Sequence, residues 1–294
     1  MPHRAGYAVI VGRPNVGKST ITNALIGTKL AIVSPKPQTT RNRILGIKTR
    51  PDAQIVLLDT PGMHDARTNL NRRMVEVARD TLTEADVIVF VTDAGTGVTA
   101  ADVKLAEGFA ELHKPIVAVC NKLDRIAKSK VLPQIERLAQ VLPGVDIIPI
   151  SAKSGDGLDR VEAAIVAHLP EGERLFPEDQ YTTETERFLV QEMVREQLFL
   201  ALDQELPYGV AVVVDQFTEK PEQNLVVVAA TVLVERPNHK GIVIGKGGKQ
   251  LSDVGRLARI ELERMLGRRM YLELFVRVEP GWARDRSRLR EIGL

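Results

Sequence analysis

The sequence predicts an α/β domain, a mostly parallel sheet covered by helices on both faces, followed by a smaller α+β domain. Three observations predict this architecture. Short apolar runs alternate with helical segments through residues 1–169, a charged stretch with two prolines occupies residues 170–182, and a different order of helices and strands fills residues 183–294. Because single cores rarely grow to 294 residues, we expect two domains joined by a linker.

The composition is that of a globular protein, with 44% hydrophobic and 27% charged residues. Its apolar runs are far shorter than the roughly 20 residues that a membrane-spanning helix needs. The first residues lead straight into an apolar run without a signal region, and the single cysteine, Cys120, cannot form an intramolecular disulfide. These features favour a cytoplasmic protein without a transmembrane segment, and we expect a monomer.

The charge is unevenly distributed along the chain. Residues 1–235 contain 26 Lys and Arg against 31 Asp and Glu, whereas residues 236–294 contain 14 against 7. A basic segment of this kind indicates a polyanionic partner, either nucleic acid or an anionic membrane surface. A solvated helix face would have a similar composition, so charge alone does not decide between these interpretations.

The first motif is GRPNVGKS at residues 12–19, between the strand candidate Tyr7–Val11 and the helix candidate Thr20–Ile26. The pattern G-x-x-x-x-G-K-[ST] offers backbone N–H groups and a helix N-terminus to a polyphosphate. Lys18 would reach the β- and γ-phosphates, and Ser19 would bind the accompanying Mg²⁺. The alternative is a Gly/Pro turn that happens to precede Lys-Ser. The predicted phosphate site consists of Gly12, Arg13, Pro14, Asn15, Val16, Gly17, Lys18, Ser19 and Thr20.

The next two strand candidates are residues 44–49 and 54–58, and the second runs into Asp59-Thr60-Pro61-Gly62. At the end of a strand beside the phosphate loop, Asp59 would hold Mg²⁺ through water and the Gly62 N–H would meet the γ-phosphate. Alone, DTPG is merely a turn. Paired with GRPNVGKS, it indicates a second phosphate-side segment.

A later motif would select the base. The strand candidate 115–119 delivers Asn121-Lys122-Leu123-Asp124, and residues 146–150 lead into Ser151-Ala152-Lys153. The Asp124 carboxylate can accept hydrogens from N1 and the 2-amino group of guanine, a donor pair that adenine lacks. The remaining elements predicted in this part are a strand at 86–92 and helices at 100–113 and 157–168.

Together, GRPNVGKS, TT, DTPG, NKLD and ISA resemble the guanine-nucleotide-binding domain of the P-loop GTPases, over residues 5 to about 169. The resemblance implies a GTPase that binds GTP or GDP with Mg²⁺. It also implies that one Thr of the first switch covers the γ-phosphate and binds Mg²⁺ in the triphosphate state, and we expect Thr40 rather than Thr39. The switch so identified comprises Gln38, Thr39, Thr40, Arg41 and Asn42.

The sequence departs from the Ras-like pattern after DTPG, where Met63 stands in place of a water-positioning Gln. Asn15 resembles the residue that helps hold a potassium ion near the phosphates in related GTPases without that Gln. An Asn in a Gly-rich loop is also an ordinary turn residue.

The second part of the chain contains Gly245-Lys246-Gly247-Gly248 between two helix candidates. A helix at 185–202 and strands at 210–216 and 225–235 precede this loop, and a helix at 251–265 and a strand at 270–278 follow it. This order resembles a type II KH domain, which clamps single-stranded nucleic acid at its GxxG loop. The alternative is a Gly-rich turn between two helices. The RNA-binding residues so implied are Gly245, Lys246, Gly247, Gly248, Lys249 and Arg256.

A P-loop GTPase followed by one KH domain resembles the Era family of ribosome-associated GTPases over essentially the whole chain. The resemblance implies a GTP-hydrolysing switch that binds 16S ribosomal RNA near its 3′ end, acts in small-subunit maturation and contacts the inner membrane face peripherally. The alternative is a membrane-surface GTPase whose basic C-terminus binds anionic lipid, with the KH-like unit serving as a scaffold. A lipid surface attracts charge but does not require the GxxG backbone. An RNA-modifying enzyme would need a second catalytic site, and the sequence contains no Cys/His cluster to form one.

Overall fold

The structure is a computed structural model that describes residues 2–34, 36, 39–62, 69–203, 206–285 and 289. Three predictions lie outside the described residues: Gln38 in the first switch, Met63 in place of the catalytic Gln, and the basic helix after Asp285. The chain forms two compact units whose boundary in the sequence lies between Thr183 and Glu184.

The first unit largely alternates strands and helices. Its elements are β1 (Arg4–Val11), α1 (Lys18–Ile26), β2 (Ile44–Thr49), β3 (Ala53–Asp59), α2 (Asn69–Glu84), β4 (Val87–Asp93), α3 (Ala100–Ala110), β5 (Ile116–Asn121), α4 (Val131–Val141), β6 (Ile147–Pro149) and α5 (Leu158–His168). The strands form a six-stranded sheet with order β2-β3-β1-β4-β5-β6. Every neighbouring pair is parallel except the antiparallel pair of β2 and β3, which confirms the mostly parallel α/β fold.

Helices cover both faces of this sheet. On one face Ile21 of α1 and Val161 of α5 pack against the strands, and on the other Leu82 of α2, Phe109 of α3 and Leu138 of α4 do so. Because both faces are covered, β3 and β4 are buried along their whole length. This burial explains why these strands appear in the sequence as nearly continuous apolar runs.

Helices α2 and α4 are not among the elements predicted from the sequence. In α2 the buried side chains Met74, Ala78 and Leu82 recur every four residues, the spacing that brings side chains to one helix face. The many charged residues between them hide this spacing.

The segment 170–182, predicted as a linker, packs on the first unit. The buried side chain of Gln54 accepts hydrogen bonds from the backbone N–H groups of Leu175 and Phe176 at 2.8 and 2.9 Å, and donates to the Phe176 carbonyl at 2.9 Å. Further along, the Tyr181 carbonyl accepts from the backbone of β2 at 2.8 Å. The segment is therefore held along the β2–β3 side of the sheet.

The second unit contains three α-helices and three strands among the described residues. Its elements are α6 (Glu186–Ala201), β7 (Val210–Lys220), β8 (Leu225–Val234), α7 (Pro237–Ile244), α8 (Lys249–Leu266) and β9 (Arg269–Val278). The strands form a sheet with order β7-β8-β9, antiparallel between β7 and β8 and parallel between β8 and β9. Met193 of α6 and Val254 and Leu262 of α8 pack in the core with the strands. This arrangement confirms the α+β class expected for the second domain.

Candidate nucleotide site

The phosphate loop joins β1 to α1 at the point where the strand order reverses, since β1 lies between β3 and β4. Crevices for ligands form at such points in open α/β sheets. Gly12 and Gly17 both have positive φ, and a Cβ atom would lie 2.4 Å from the Val91 carbonyl oxygen at Gly12 and 2.3 Å from Asn121 Nδ2 at Gly17. The two glycines that frame the motif are therefore required by the close approach of neighbouring strand ends.

Lys18 lies beneath this loop with only 6% of its surface exposed. Its Nζ donates to the carbonyl oxygens of Gly12 at 3.3 Å and Arg13 at 3.1 Å. Burial lowers the pKa of Lys18 to about 8, and the nearby carboxylate of Asp59 partly opposes that shift. A bound polyphosphate would supply the negative charge that favours the ammonium form.

The side chain of Arg13 is bound by helix α3. Its Nε donates to both carboxylate oxygens of Asp102, at 2.8 and 2.9 Å, and its Nη2 donates to Thr96 Oγ1 at 3.0 Å. Asp102 is fully buried and also accepts from the backbone N–H of Thr99, the N-cap of α3. Arg13 therefore presents its carbonyl to Lys18, while its guanidinium anchors the loop to α3.

Three oxygen-bearing side chains meet at the other end of the loop. Ser19 Oγ donates to Asp59 Oδ2 at 2.7 Å and lies 2.9 Å from Thr40 Oγ1. The second carboxylate oxygen of Asp59 is buried and has no hydrogen-bond partner among the described residues. Burial raises the pKa of Asp59 to about 6, although the Lys18 ammonium opposes the shift. Hydroxyl and carboxylate oxygens are the ligands that Mg²⁺ prefers, so these residues fit that ion.

The two candidate threonines of the first switch have different partners. Thr39 donates its hydroxyl to the Lys36 carbonyl at 2.8 Å, whereas Thr40 turns towards Ser19. Arg41 beside them is buried, and Asn42 is partly exposed. Of the two threonines, the structure brings Thr40 to the oxygen cluster.

The DTPG segment lies against the phosphate loop. Thr60 donates its hydroxyl to the Ile10 carbonyl of β1 at 2.9 Å, and Pro61 is buried. A Cβ atom at Gly62 would lie 2.9 Å from the Cα atom of Pro14. The absence of a side chain at Gly62 therefore lets the two segments lie in contact.

A buried amide joins the phosphate loop to the base-side loops. Asn121 donates from Nδ2 to the Val16 carbonyl at 2.9 Å and accepts at Oδ1 from the Ala152 N–H at 3.0 Å. Lys122 donates to the Asn15 carbonyl and to Asp93 Oδ2, the latter at 2.8 Å. Through these contacts Asn121 and Lys122 position the phosphate loop relative to the base-side loops.

Asp124, in one of the base-side loops, is exposed. One of its carboxylate oxygens accepts a hydrogen bond from Ser151 Oγ at 2.8 Å. Lys153 is exposed nearby in sequence, whereas Ala152 is buried. The carboxylate is thus oriented by protein and still open to a base.

The phosphate loop borders a cavity of about 540 Å³, within the range typical of small-ligand sites. Thr39, Thr40, Gly62 and Lys122 also line it. The lining residues that were not foreseen from the sequence include Asp93, Thr96 and Arg125. The available signal for Asp93 was its position at the end of β4, beside the phosphate loop.

Comparisons with known proteins agree with this geometry. A family model described as 50S ribosome-binding GTPase matches residues 7–122, and a KH domain model matches residues 205–283. GTPase Era of Syntrophus aciditrophicus is 43% identical over 290 residues, covering 99% of this chain and 95% of that protein. GTPase Era of Trichlorobacter lovleyi is 45% identical over 292 residues, covering 99% and 98%.

The chain belongs to the Era family of GTPases. Two solved Era structures, each 43% identical and covering 99% of both chains, superpose on it with a TM-score of 0.95. One is an Aquifex aeolicus Era variant bound to GDP and AlF₄⁻, and the other is Era in complex with MgGDPNP and nucleotides 1506–1542 of 16S ribosomal RNA. The GTPase activity and the combination of GTPase and KH domains expected from the motifs are therefore confirmed.

The exposed carboxylate of Asp124 gives the first testable expectation. Asp124→Asn should lower GTP affinity at least about a hundredfold and shift preference towards xanthine nucleotides, because an amide donates where the carboxylate accepted. Competition titrations with GTP and XTP measure the change. Ser151→Ala is the matched control, since it removes the orienting hydroxyl and keeps the carboxylate. It should weaken binding less and leave the preference for guanine; retained GTP selectivity in Asp124→Asn would contradict the base-reading role.

Proposed function

We propose that this chain is a GTP-driven switch that binds small-subunit ribosomal RNA near its 3′ end through the KH unit and acts in small-subunit assembly. The observation that carries the proposal is the Era complex with nucleotides 1506–1542 of 16S ribosomal RNA, which matches 99% of this chain with a TM-score of 0.95. GTP hydrolysis would time the release of the protein from the assembling subunit.

The geometry of the GxxG loop supports RNA contact. Gly247 and Gly248 have φ values of +59° and +78°, and a Cβ atom at either position would meet nothing within 4 Å. The backbone is therefore open on its outer side, where a phosphate could approach. Lys246 and Lys249 flank these glycines, and Arg256 lies further along α8 with a long ion pair to Asp253 at 3.7 Å.

A binding experiment with the protein's own ribosomal RNA tests the proposal. A labelled oligonucleotide carrying the 3′ segment of the small-subunit RNA is titrated with protein in the presence of a non-hydrolysable GTP analogue or of GDP. We expect tight binding with the analogue and weaker binding with GDP. Equal affinity for a scrambled oligonucleotide of the same length would overturn the proposal, because backbone charge alone would then explain the binding.

In hydrolysis, we propose that Ser19, Thr40 and, through water, Asp59 hold Mg²⁺, which would neutralise charge developing on the phosphates. Lys18 would contact the β- and γ-phosphates from beneath the loop. The N–H of Gly62 would meet the γ-phosphate, and Asp124 would fix the guanine. Thr40 would cover the γ-phosphate only in the triphosphate state, so the position of this segment would depend on which nucleotide is bound.

We propose that a monovalent cation supplies further positive charge to the transition state of GTP hydrolysis. Asn15 lines the cavity, and the guanidinium of Arg13 is already bound to Asp102. The phosphate loop therefore offers no arginine to the transition state. A potassium ion near Asn15 would take that electrostatic role.

The potassium proposal predicts a salt effect on rate. GTP hydrolysis should be several-fold faster in KCl than in NaCl at equal ionic strength, with Mg²⁺ and nucleotide saturating, because Na⁺ is smaller and fits the same ligands less well. Steady-state phosphate release measures both rates. Asn15→Ala should reduce the difference between the salts, and equal rates in the parent protein would remove the ion from the mechanism.

Peripheral membrane contact remains a separate prediction. None of the helices in the described part of the chain has the length and hydrophobicity that spanning a bilayer requires. The lipid-surface alternative depends on the basic C-terminal part of the chain, residues 236–294, so it rests on charge alone. We propose a cytoplasmic monomer that meets its ribosomal partner through the KH unit.

A further inference from the structure

A second cavity, of about 490 Å³, lies in the KH unit beside the GxxG loop. Leu200 and Ala201 at the end of α6 form one side, and Val254 and Leu257 of α8 form the other. Among the described residues, none from β9 lines it. We call this cavity the α6–α8 slot.

The walls of the slot are suited to a flat, partly apolar ligand. Leu200 is 49% exposed and Leu257 is 41% exposed, whereas Val254, which also lines the slot, is buried. Two large aliphatic side chains of the slot are thus exposed to solvent, and burial against a ligand would be favourable for both.

Gln197 and Gln250 also line the slot. Their Nε2 groups donate to Glu196 Oε2 at 3.4 Å and to the Ala201 carbonyl at 3.2 Å, so their side-chain oxygens are the groups that can accept hydrogen bonds from the edge of a heterocycle.

The slot is joined to the predicted phosphate-binding loop. Lys246 and Lys249 line its mouth, and the open backbone of Gly247 lies between them in the sequence. A Cβ atom at Gly245 would lie 2.7 Å from Gln250 Cβ, so a glycine there lets Gln250 pack against the loop. Asp253 is the one carboxylate of the lining among the described residues, which leaves a net positive rim.

We propose that the α6–α8 slot binds a nucleobase of the RNA strand whose backbone is held at the GxxG loop. Two lysines attract the phosphates, the leucines cover the faces of the base, and the side-chain oxygens of the glutamines accept hydrogen bonds from its edge. A single-stranded partner fits these groups because its unstacked bases can turn outward from the backbone. The inference rests on the proposed RNA-binding function and adds a base-binding site to it.

The test compares two exposed aliphatic residues of α8. Leu257→Gln removes a wall of the slot without adding charge, whereas Ile260→Gln changes a side chain that is 44% exposed and does not line the slot. We expect about tenfold weaker binding of the ribosomal oligonucleotide for Leu257→Gln and less than about twofold for Ile260→Gln. GTP affinity should be unchanged in both variants.

A series of oligonucleotides with one abasic nucleotide each identifies the bound base. At one position, loss of the base should weaken binding to the parent protein about tenfold and leave binding to Leu257→Gln unchanged, because the two changes remove the same contact. Parent-like affinity of Leu257→Gln would overturn the slot. Equal losses of RNA affinity in Leu257→Gln and Ile260→Gln would also overturn it, in favour of a broad apolar face of α8 that contacts the RNA without a base-binding slot.

The Gly247→Asp variant separates failure of the slot from failure of the RNA-binding function. If Gly247→Asp loses RNA affinity while Leu257→Gln keeps it, the loop binds RNA and the slot does not bind a base. If both variants bind like the parent, the RNA-binding function assigned to the loop fails with the slot.

Discussion

Lys18→Ala is expected to abolish tight nucleotide binding, with a loss of at least about a hundredfold in GTP affinity. Lys18 is buried beneath the phosphate loop, and the only other cationic side chain of residues 12–19, Arg13, is bound to Asp102. The triphosphate would therefore lose the sole side-chain charge that this loop can offer. Titration with a fluorescent GTP analogue measures the loss directly.

The control for Lys18→Ala is Lys104→Ala, which removes an exposed lysine from α3. The GTP affinity of Lys104→Ala should match that of the parent protein. Because Lys18 also lies near the buried Asp59 carboxylate, Lys18→Arg tests whether charge alone suffices. We expect it to fold and to bind more weakly than the parent, since a planar guanidinium does not replace a compact ammonium in a close-fitting loop. Unchanged GTP affinity in Lys18→Ala would refute the role of this residue.

The phosphate and base motifs could be predicted from the sequence because each is a short run of fixed spacing. Gly12, Gly17 and Lys18 fall in one loop, and the loop needs only a strand before it and a helix after it. The pairing of Arg13 with Asp102 could not be predicted in the same way. These residues are far apart in the chain, and only the sheet topology brings α3 to the phosphate loop.

The sequence pattern also could not predict which polar residues are buried. Gln54 stands in an apolar strand and looks like an edge residue, yet its amide is buried and satisfied by the backbone of the following segment. That segment has the composition of a linker and no apolar period. The segment is held in place by hydrogen bonds to strands that are distant in the sequence, and composition does not predict such contacts. The choice between Thr39 and Thr40 likewise depends on a contact, the bond from Thr39 to Lys36.

The second large effect is expected for Gly247→Asp, which should weaken RNA binding about a hundredfold or more and leave GTP binding intact. A Cβ atom at Gly247 meets nothing within 4 Å, and Asp tolerates the left-handed region better than most residues. The variant should therefore fold. The loss would arise because a side chain and a negative charge occupy the space through which the backbone approaches phosphate. Titration of the ribosomal oligonucleotide and of a fluorescent GTP analogue with the same preparation measures both affinities.

Lys246→Glu separates charge from backbone shape, because it reverses a charge in the loop and keeps all three glycines. If Lys246 contributes one phosphate contact, the variant should weaken binding by a similar factor for every RNA sequence. The slope of log affinity against log salt concentration should then fall by about one released counterion. Gly247→Asp should instead lose affinity at every salt concentration, since added salt screens the aspartate but does not remove the side chain. RNA affinity equal to the parent in Gly247→Asp at physiological salt would make the loop a structural turn. The exposed arginines of α8 and the basic residues after Asp285 would then be the remaining polyanion-binding candidates, and the lipid-surface alternative would gain support.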